Sequence, residues 1–244
     1  MGTIMNFSNI RGKIFSLVFL SVFLLASKAN LTQITVSSIQ DLLRQRIEAG
    51  GNPLKISIDQ ELIYSDIVLP VFYEKRVYRP AWIDMEAGFH NAVALLKVIR
   101  QVDREGLRPN DYHLEKIETL LSALQGLQRR QMPLNPNQRV DIDLLLTDAF
   151  LILGSHMFSG KINAQTVDPQ WHVIHRKRDM AQLLENALAS NQIEDRLYSL
   201  FPGHKGYARL RRALAHNRQI AEKGEWPAVP KGPKLQKGDC SDRI

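Results

Sequence analysis

The stretch from Val140 to Phe158 constrains the fold more than any other part of this sequence. Ile142, Leu144, Leu145, Leu146, Ala149, Phe150, Leu151, Ile152 and Leu153 crowd it so densely that no wide polar face remains for solvent. Its length approaches that of a bilayer span, yet Asp141, Asp143, Asp148 and His156 interrupt it, and ionisable groups are costly inside hydrocarbon. The expectation is therefore a central helix buried by other protein elements. Such a helix needs amphipathic partners around it.

The flanking sequence supplies them. Ser37 or Ser38 can cap a first helix whose inward face reads Ile39, Leu42, Leu43, Arg46 and Ile47, and Gly50-Gly51 stops it. Leu54 to Ile58 and Glu61 to Tyr64 alternate around Asp59-Gln60, which suits a small β-hairpin or two short extended segments. A helical pattern from Ile67 through Phe72, Tyr73 and Arg76 meets the aromatic turn Tyr78-Arg79-Pro80-Ala81-Trp82. Phe89, Val93, Leu95, Leu96, Ile99 and Val102 make the next stripe, ended by Gly106. Asp111 is placed to cap Tyr112 to Leu124, with Leu114, Ile117, Leu120, Leu121 and Leu124 inward. Met180 to Ala189, Ile193 to Phe201 and Tyr207 to Ala221 read as three further helices. The predicted fold class is mainly α: a helical bundle with a small β-hairpin or extended segments near residues 54–64. No fixed-period repeat is visible, which argues against a solenoid.

The two ends differ from this body. Arg11 and Lys13 precede an uncharged apolar run from Ile14 to Ala26, and Ser27 and Ala29 offer an A-x-A-like cleavage site. Residues 1–29 are thus expected to be a signal peptide, with an uncleaved anchor as the other reading; either sends the rest of the chain across a membrane. From Trp226 the composition turns to Pro227, Pro230, Gly232, Pro233 and Gly238 with Lys231, Lys234 and Lys237 between, which is linker chemistry. The domain expectation is a signal peptide at 1–29, a helical domain at 30–225, and at 226–244 a linker leading into a further domain.

Charge and chemistry narrow the function classes. Loss of Arg11, Lys13 and Lys28 lowers the net charge from +7 to +4, and Lys and Arg look spread along helices among acids, so no nucleic-acid partner is expected. A membrane would be touched only through the N-terminal segment if it stays uncleaved. Cys240 is the sole cysteine, so no intramolecular disulfide can form; it has no nearby histidine to serve as base, and no catalytic residue is assigned. The seven histidines lack metal-site spacing, and Gly50-Gly51 ends a helix rather than opening one after a strand, so neither a metal nor a cofactor is expected. Carboxylate pairs such as Asp141 with Asp143 could support glycosidase chemistry, but Asp143 and Asp148 fall at different angles around one helix and no aromatic-rich cleft surrounds them, so they read as solvated faces or caps. Trp82, Trp171 and Trp226 sit beside prolines or element boundaries, where an indole seals a loop onto the bundle; Trp82 and Trp171 are also candidates for binding carbohydrate or peptide.

An ordered series of segments resembles a known family. It runs through Ile47-Glu48-Ala49-Gly50-Gly51, Leu69-Pro70-Val71-Phe72-Tyr73-Glu74, Tyr78-Arg79-Pro80-Ala81-Trp82, Gly106-Leu107, Asp111-Tyr112-His113, Leu144 to Phe150 and Asp168-Pro169-Gln170-Trp171-His172. Together these look like the N-terminal scaffold domain of the large, multi-domain murein L,D-transpeptidases of Gram-negative bacteria. Trp226 to Pro230 and Gly232-Pro233-Lys234-Leu235 with Gly238-Asp239 resemble the start of that family's small peptidoglycan-binding domain. The resemblance implies a periplasmic scaffold in 3-3 cross-linking and cell-wall biogenesis, with peptidoglycan or a transpeptidase catalytic domain as partner. The family's nucleophile is a cysteine in a Ser-His-Gly-Cys-x-Arg context; Cys240 has no such surroundings, so no catalytic residue carries over. The chain is expected to be inactive alone, with a stand-alone adaptor for peptidoglycan or a wall-synthesis enzyme as the alternative.

Overall fold

Helix α1 covers residues 38–49 and buries Ile39, Leu43 and Ile47, one residue per turn. It closes at Gly50, where an added Cβ would stand 2.6 Å from the Leu54 side chain, and at Gly51, whose φ of 78° favours glycine. These contacts belong to a computed structural model that describes residues 38–83, 88–162, 164–168, 170, 178–224, 232, 234 and 236–237. The expected signal peptide at 1–29, Trp171, Trp226 and Cys240 lie outside the described residues.

The predicted hairpin is present. Strand β1, Ser57–Ile58, pairs antiparallel with β2, Glu61–Leu62, and Asp59-Gln60 makes the two-residue turn with both φ values positive. Leu54, Ile56, Ile58 and Ile63 point into the core. Helix α2, Val68–Lys75, follows and buries Leu69, Phe72 and Tyr73. Val77 and Tyr78 then take left-handed backbone angles, turning the chain into Pro80 and Trp82.

Helix α3, His90–Ile99, buries Ala92, Leu95, Leu96, Val98 and Ile99. Val93, expected on that stripe, is 45% exposed, because the inward face is centred on Ala92, Leu95 and Ile99 and Val93 falls well round the helix from it. The next helix also starts later than expected. Pro109–Tyr112 forms a short 3-10 turn, His113 takes a left-handed conformation, and α4 runs from Leu114 to Arg129. Asp111 does not cap it; its carboxylate pairs with Lys161. Ile117, Leu120, Leu121 and Leu124 are buried as expected, and Leu114 only partly.

Helix α5, Pro136–Ser159, is the central element. It begins four residues before the apolar run because Asn135 accepts a hydrogen bond from the Asn137 N–H and Pro136 occupies the first turn. By length and composition it is long enough to cross a bilayer, but α2, α3, α4, α7 (Met180–Ser190) and α8 (Ile193–Tyr198) pack around it. Gly154 gives α7 and α8 room: a Cβ there would meet Met180 Sδ at 3.3 Å and Leu200 Cδ1 at 3.5 Å. A short helix, α6, lies at Ala164–Val167, and Asp179 caps α7 by accepting from the Gln182 N–H.

The fold is thus mainly α with one tiny two-stranded sheet. The described residues up to Asp103, with those from Leu107 to Phe201, form one compact unit, and Arg104–Gly106 with the described residues from Pro202 onward form a second. Helix α9, Lys205–Glu222, expected to complete the bundle, belongs to the second unit and buries none of its residues. Its apolar side chains are too few, and too mixed with arginine, to make a core face.

Candidate functional site

Three buried polar side chains interrupt the apolar run of α5: Asp143 and Thr147 share one side, and Asp148 lies well round the helix from Asp143. Read as solvated faces or caps, the two carboxylates prove to be almost wholly buried: Asp143 is 1% exposed and Asp148 0%. A carboxylate inside an apolar core must be met by donors or neutralised, and each of these is met by donors from a loop.

Asp143 accepts from the Ala81 and Trp82 backbone N–H groups at 3.0 and 2.9 Å and from the Tyr73 hydroxyl at 2.8 Å. Burial raises its pKa, and these donors oppose the rise. Thr147 Oγ1 accepts from Trp82 Nε1 at 2.8 Å and shares a hydrogen bond with the Tyr73 hydroxyl. Trp82 is accordingly a core residue, 2% exposed and packed against Phe150, with no open ring face to offer a ligand. Trp171, the other binding candidate, lies outside the described residues.

Asp148 is the second hub. It accepts from the Tyr64 N–H, from the Ser65 N–H at 2.7 Å and from the Ser65 hydroxyl, and it faces His113 Nε2 at 2.8 Å. His113 Nδ1 stands 2.8 Å from Glu61 Oε2, on β2. An imidazole between two carboxylates donates to both only when both nitrogens carry protons. Burial alone would lower the His113 pKa, but the hydrogen bonds and charges of Asp148 and Glu61 outweigh it and hold it above its ordinary value.

Serine, histidine and aspartate here do not make a nucleophilic triad. In a triad the imidazole stands between hydroxyl and carboxylate and takes the hydroxyl proton. Here the carboxylate stands in the middle, Ser65 donates to Asp148, and both imidazole nitrogens are engaged by acids. The Ser65 hydroxyl is met by the Asp148 carboxylate, with the imidazole on the far side of that carboxylate. The arrangement fixes backbone: it ties residues 64–65 and 81–82 to the central helix. Among the described residues no group of three or more His, Cys, Asp or Glu side chains is placed to hold a metal ion.

Above this frame lies a cleft of about 780 Å³. It is lined by Glu61, Tyr64 to Val68, Asn110 and Asp111, by Leu151, Ile152, Ser155 and His156 of α5, and by Lys161 and Arg178 to Met180. Tyr64 and Ile67 stand largely exposed at the rim. Tyr112 bonds His156 Nδ1 at 3.0 Å, and burial first, then Lys161, lowers the His156 pKa. The Arg178 guanidinium lies 5.9 Å from the Phe158 ring centre. Apolar side chains, mixed charge and the tied-down residues 64–65 give a surface that can bind.

A family model described as the scaffold domain matches residues 68–214, more than half of the chain. The chain belongs to the scaffold-domain family. The matched span runs from the start of α2 into α9 and contains His113, Asp143, Thr147 and Asp148. Glu61 and Ser65, which complete the network, precede it, as do α1 and the hairpin. No curated protein and no solved structure matches the scaffold-domain chain.

From sequence, His113 reads only as one of seven histidines without metal-site spacing, and Asp143 and Asp148 read as solvated faces or caps. The signal that could have found them is the apolar run itself, since a carboxylate amid residues with no solvent face requires buried donors.

Proposed function

We propose that this chain is the scaffold portion of a periplasmic murein L,D-transpeptidase, acting in 3-3 cross-linking of peptidoglycan by holding and orienting a cysteine-bearing catalytic domain. The observation that carries the reading is the Asp148 hub: buried charge is used to rigidify a cleft rim, with the local serine and histidine arranged for support and not for attack. The scaffold-domain match over residues 68–214 and the ordered motifs agree with it. Export through residues 1–29 places such a scaffold where murein is assembled.

The test is reconstitution in trans. The purified chain and a transpeptidase cysteine domain are incubated with muropeptides, separately and together, and products are read by mass spectrometry. The reading expects 3-3 dimers to rise when both parts are present and none from the chain alone. Cross-linking or cleavage by the chain alone would overturn it.

The open cleft favours a second reading, a periplasmic adaptor that binds peptidoglycan or a wall-synthesis enzyme. Sedimentation with isolated murein sacculi separates the two: an adaptor for peptidoglycan pellets with the sacculi, whereas a scaffold that only holds a catalytic domain stays in the supernatant.

A further inference from the structure

The basic residues are less evenly spread than they look along the sequence. Residues 205–237 hold nine Lys and Arg against two acids, Glu222 and Glu225, a net of +7. That equals the formal charge of all 244 residues, so the remainder of the chain is balanced. Without Arg11, Lys13 and Lys28 the remainder is net −3, and the expected mature protein has a neutral-to-acidic body and one basic end.

Helix α9 gives that end a face. Lys205, Arg209, Arg212 and His216 recur at helical spacing along one line, over roughly 17 Å at 1.5 Å per residue. All four are exposed, and among the described residues none has a hydrogen-bond or ion-pair partner through its charged group. Exposed cations elsewhere are often matched, as Arg44 is by Glu48, Lys97 by Glu194 and Arg100 by Glu118. The helix also exposes apolar groups: Ala213 lies next to this line, and Leu210, 71% exposed, and Ala221 lie farther round, about 100° or more from Arg209. On the other flank, Arg211 pairs with Glu105 at 2.7 Å and the Tyr207 hydroxyl donates to the same carboxylate, which fixes the rotation of the helix on Arg104–Gly106.

From this geometry we propose that α9 docks on an anionic phospholipid surface, its Lys205, Arg209 and Arg212 against headgroup phosphates and Leu210 in the boundary below them. An unpaired cationic line on a helix that also exposes apolar groups is the chemistry of an interfacial helix. A nucleic acid fits less well: a single strand calls for exposed aromatic rings to stack on, and the one aromatic of α9, Tyr207, is tied to Glu105. The proposal departs from the expectation that only the N-terminal segment would meet a membrane, and it is independent of the transpeptidase reading.

The test is co-sedimentation of the full chain with vesicles of phosphatidylcholine alone or with one third phosphatidylglycerol, at low and high salt. Wild type is compared with the triple variant K205E/R209E/R212E and with L210A, all carrying the same N-terminus, and helical circular dichroism checks that each folds. The expected result is binding to the anionic vesicles, at least tenfold weaker in the triple variant and in high salt, with a smaller loss in L210A. Equal binding to both vesicle types, or a triple variant that binds as wild type does, overturns the proposal. So does tighter binding to heparin or duplex DNA than to the anionic vesicles, which would assign the face to a soluble polyanion.

Discussion

His113 Nε2 lies 2.8 Å from a carboxylate oxygen of Asp148, and both side chains are buried. The pair couples α5 to the left-handed residue that starts α4, and through His113 Nδ1 and Glu61 it reaches the hairpin. Because the folded-state pKa of His113 is raised, its protonation stabilises the fold fully below the unfolded value near 6.5, and the contribution is lost as pH rises through the folded pKa. Thermal unfolding across pH 5 to 9 should therefore show wild type losing its advantage over His113→Gln as pH rises. A difference independent of pH would contradict an imidazolium at this position.

Asp148→Ala should be among the most destabilising single changes. It leaves the Tyr64 and Ser65 N–H groups and a buried imidazole without their acceptor. Removing one partner of a buried charged pair costs roughly 3–5 kcal/mol. Ser65→Ala removes only one of several donors and should cost about 1 kcal/mol. Denaturant titration ranks the two, and equal losses would show that Asp148 is not the hub.

Trp82→Phe removes one hydrogen bond and part of the indole's buried volume. Thr147 Oγ1 loses the Nε1 donor at 2.8 Å while keeping the Tyr73 hydroxyl, and the smaller ring still packs toward Phe150. The expected loss is about 1–3 kcal/mol, below the roughly 3–5 kcal/mol for Trp82→Ala, which opens a larger cavity. Chemical denaturation that finds the two variants alike would mean the indole does not pack as a core residue.

The apolar pattern made most of the fold legible. The Val140–Phe158 run located α5, the Asp59-Gln60 turn located the hairpin, and Gly50-Gly51 ended α1, because each depends on local periodicity or local backbone freedom. What was not legible depends on residues distant in sequence. Asp143 meets Ala81 and Trp82 some sixty positions away, and Asp148 meets Ser65 across 83. A search confined to neighbouring residues sees only isolated acids in a helix. Asp111 shows the same limit: its position before Tyr112 suits a cap, but Lys161 on a distant segment claims the carboxylate. The basic face of α9 was overlooked for a different reason, since interleaving along the chain hides a line that appears only when residues are placed at 3.6 per turn.

Gly154 offers a last test, of how closely the bundle is packed. It is a buried glycine in the middle of α5, where helix propensity alone would favour alanine by about 1 kcal/mol. An added methyl would meet the flexible Met180 side chain at 3.3 Å, with Leu200 and Leu197 just beyond, so Met180 can yield and Gly154→Ala should stay within about 1 kcal/mol of wild type. Gly154→Val has no such outlet: its branches must displace Leu197 and Leu200 together, at a cost of roughly 1–3 kcal/mol from overpacking. Thermal melts of the two variants decide the matter. If valine is tolerated as well as alanine, α7 and α8 do not seat against α5 at this position.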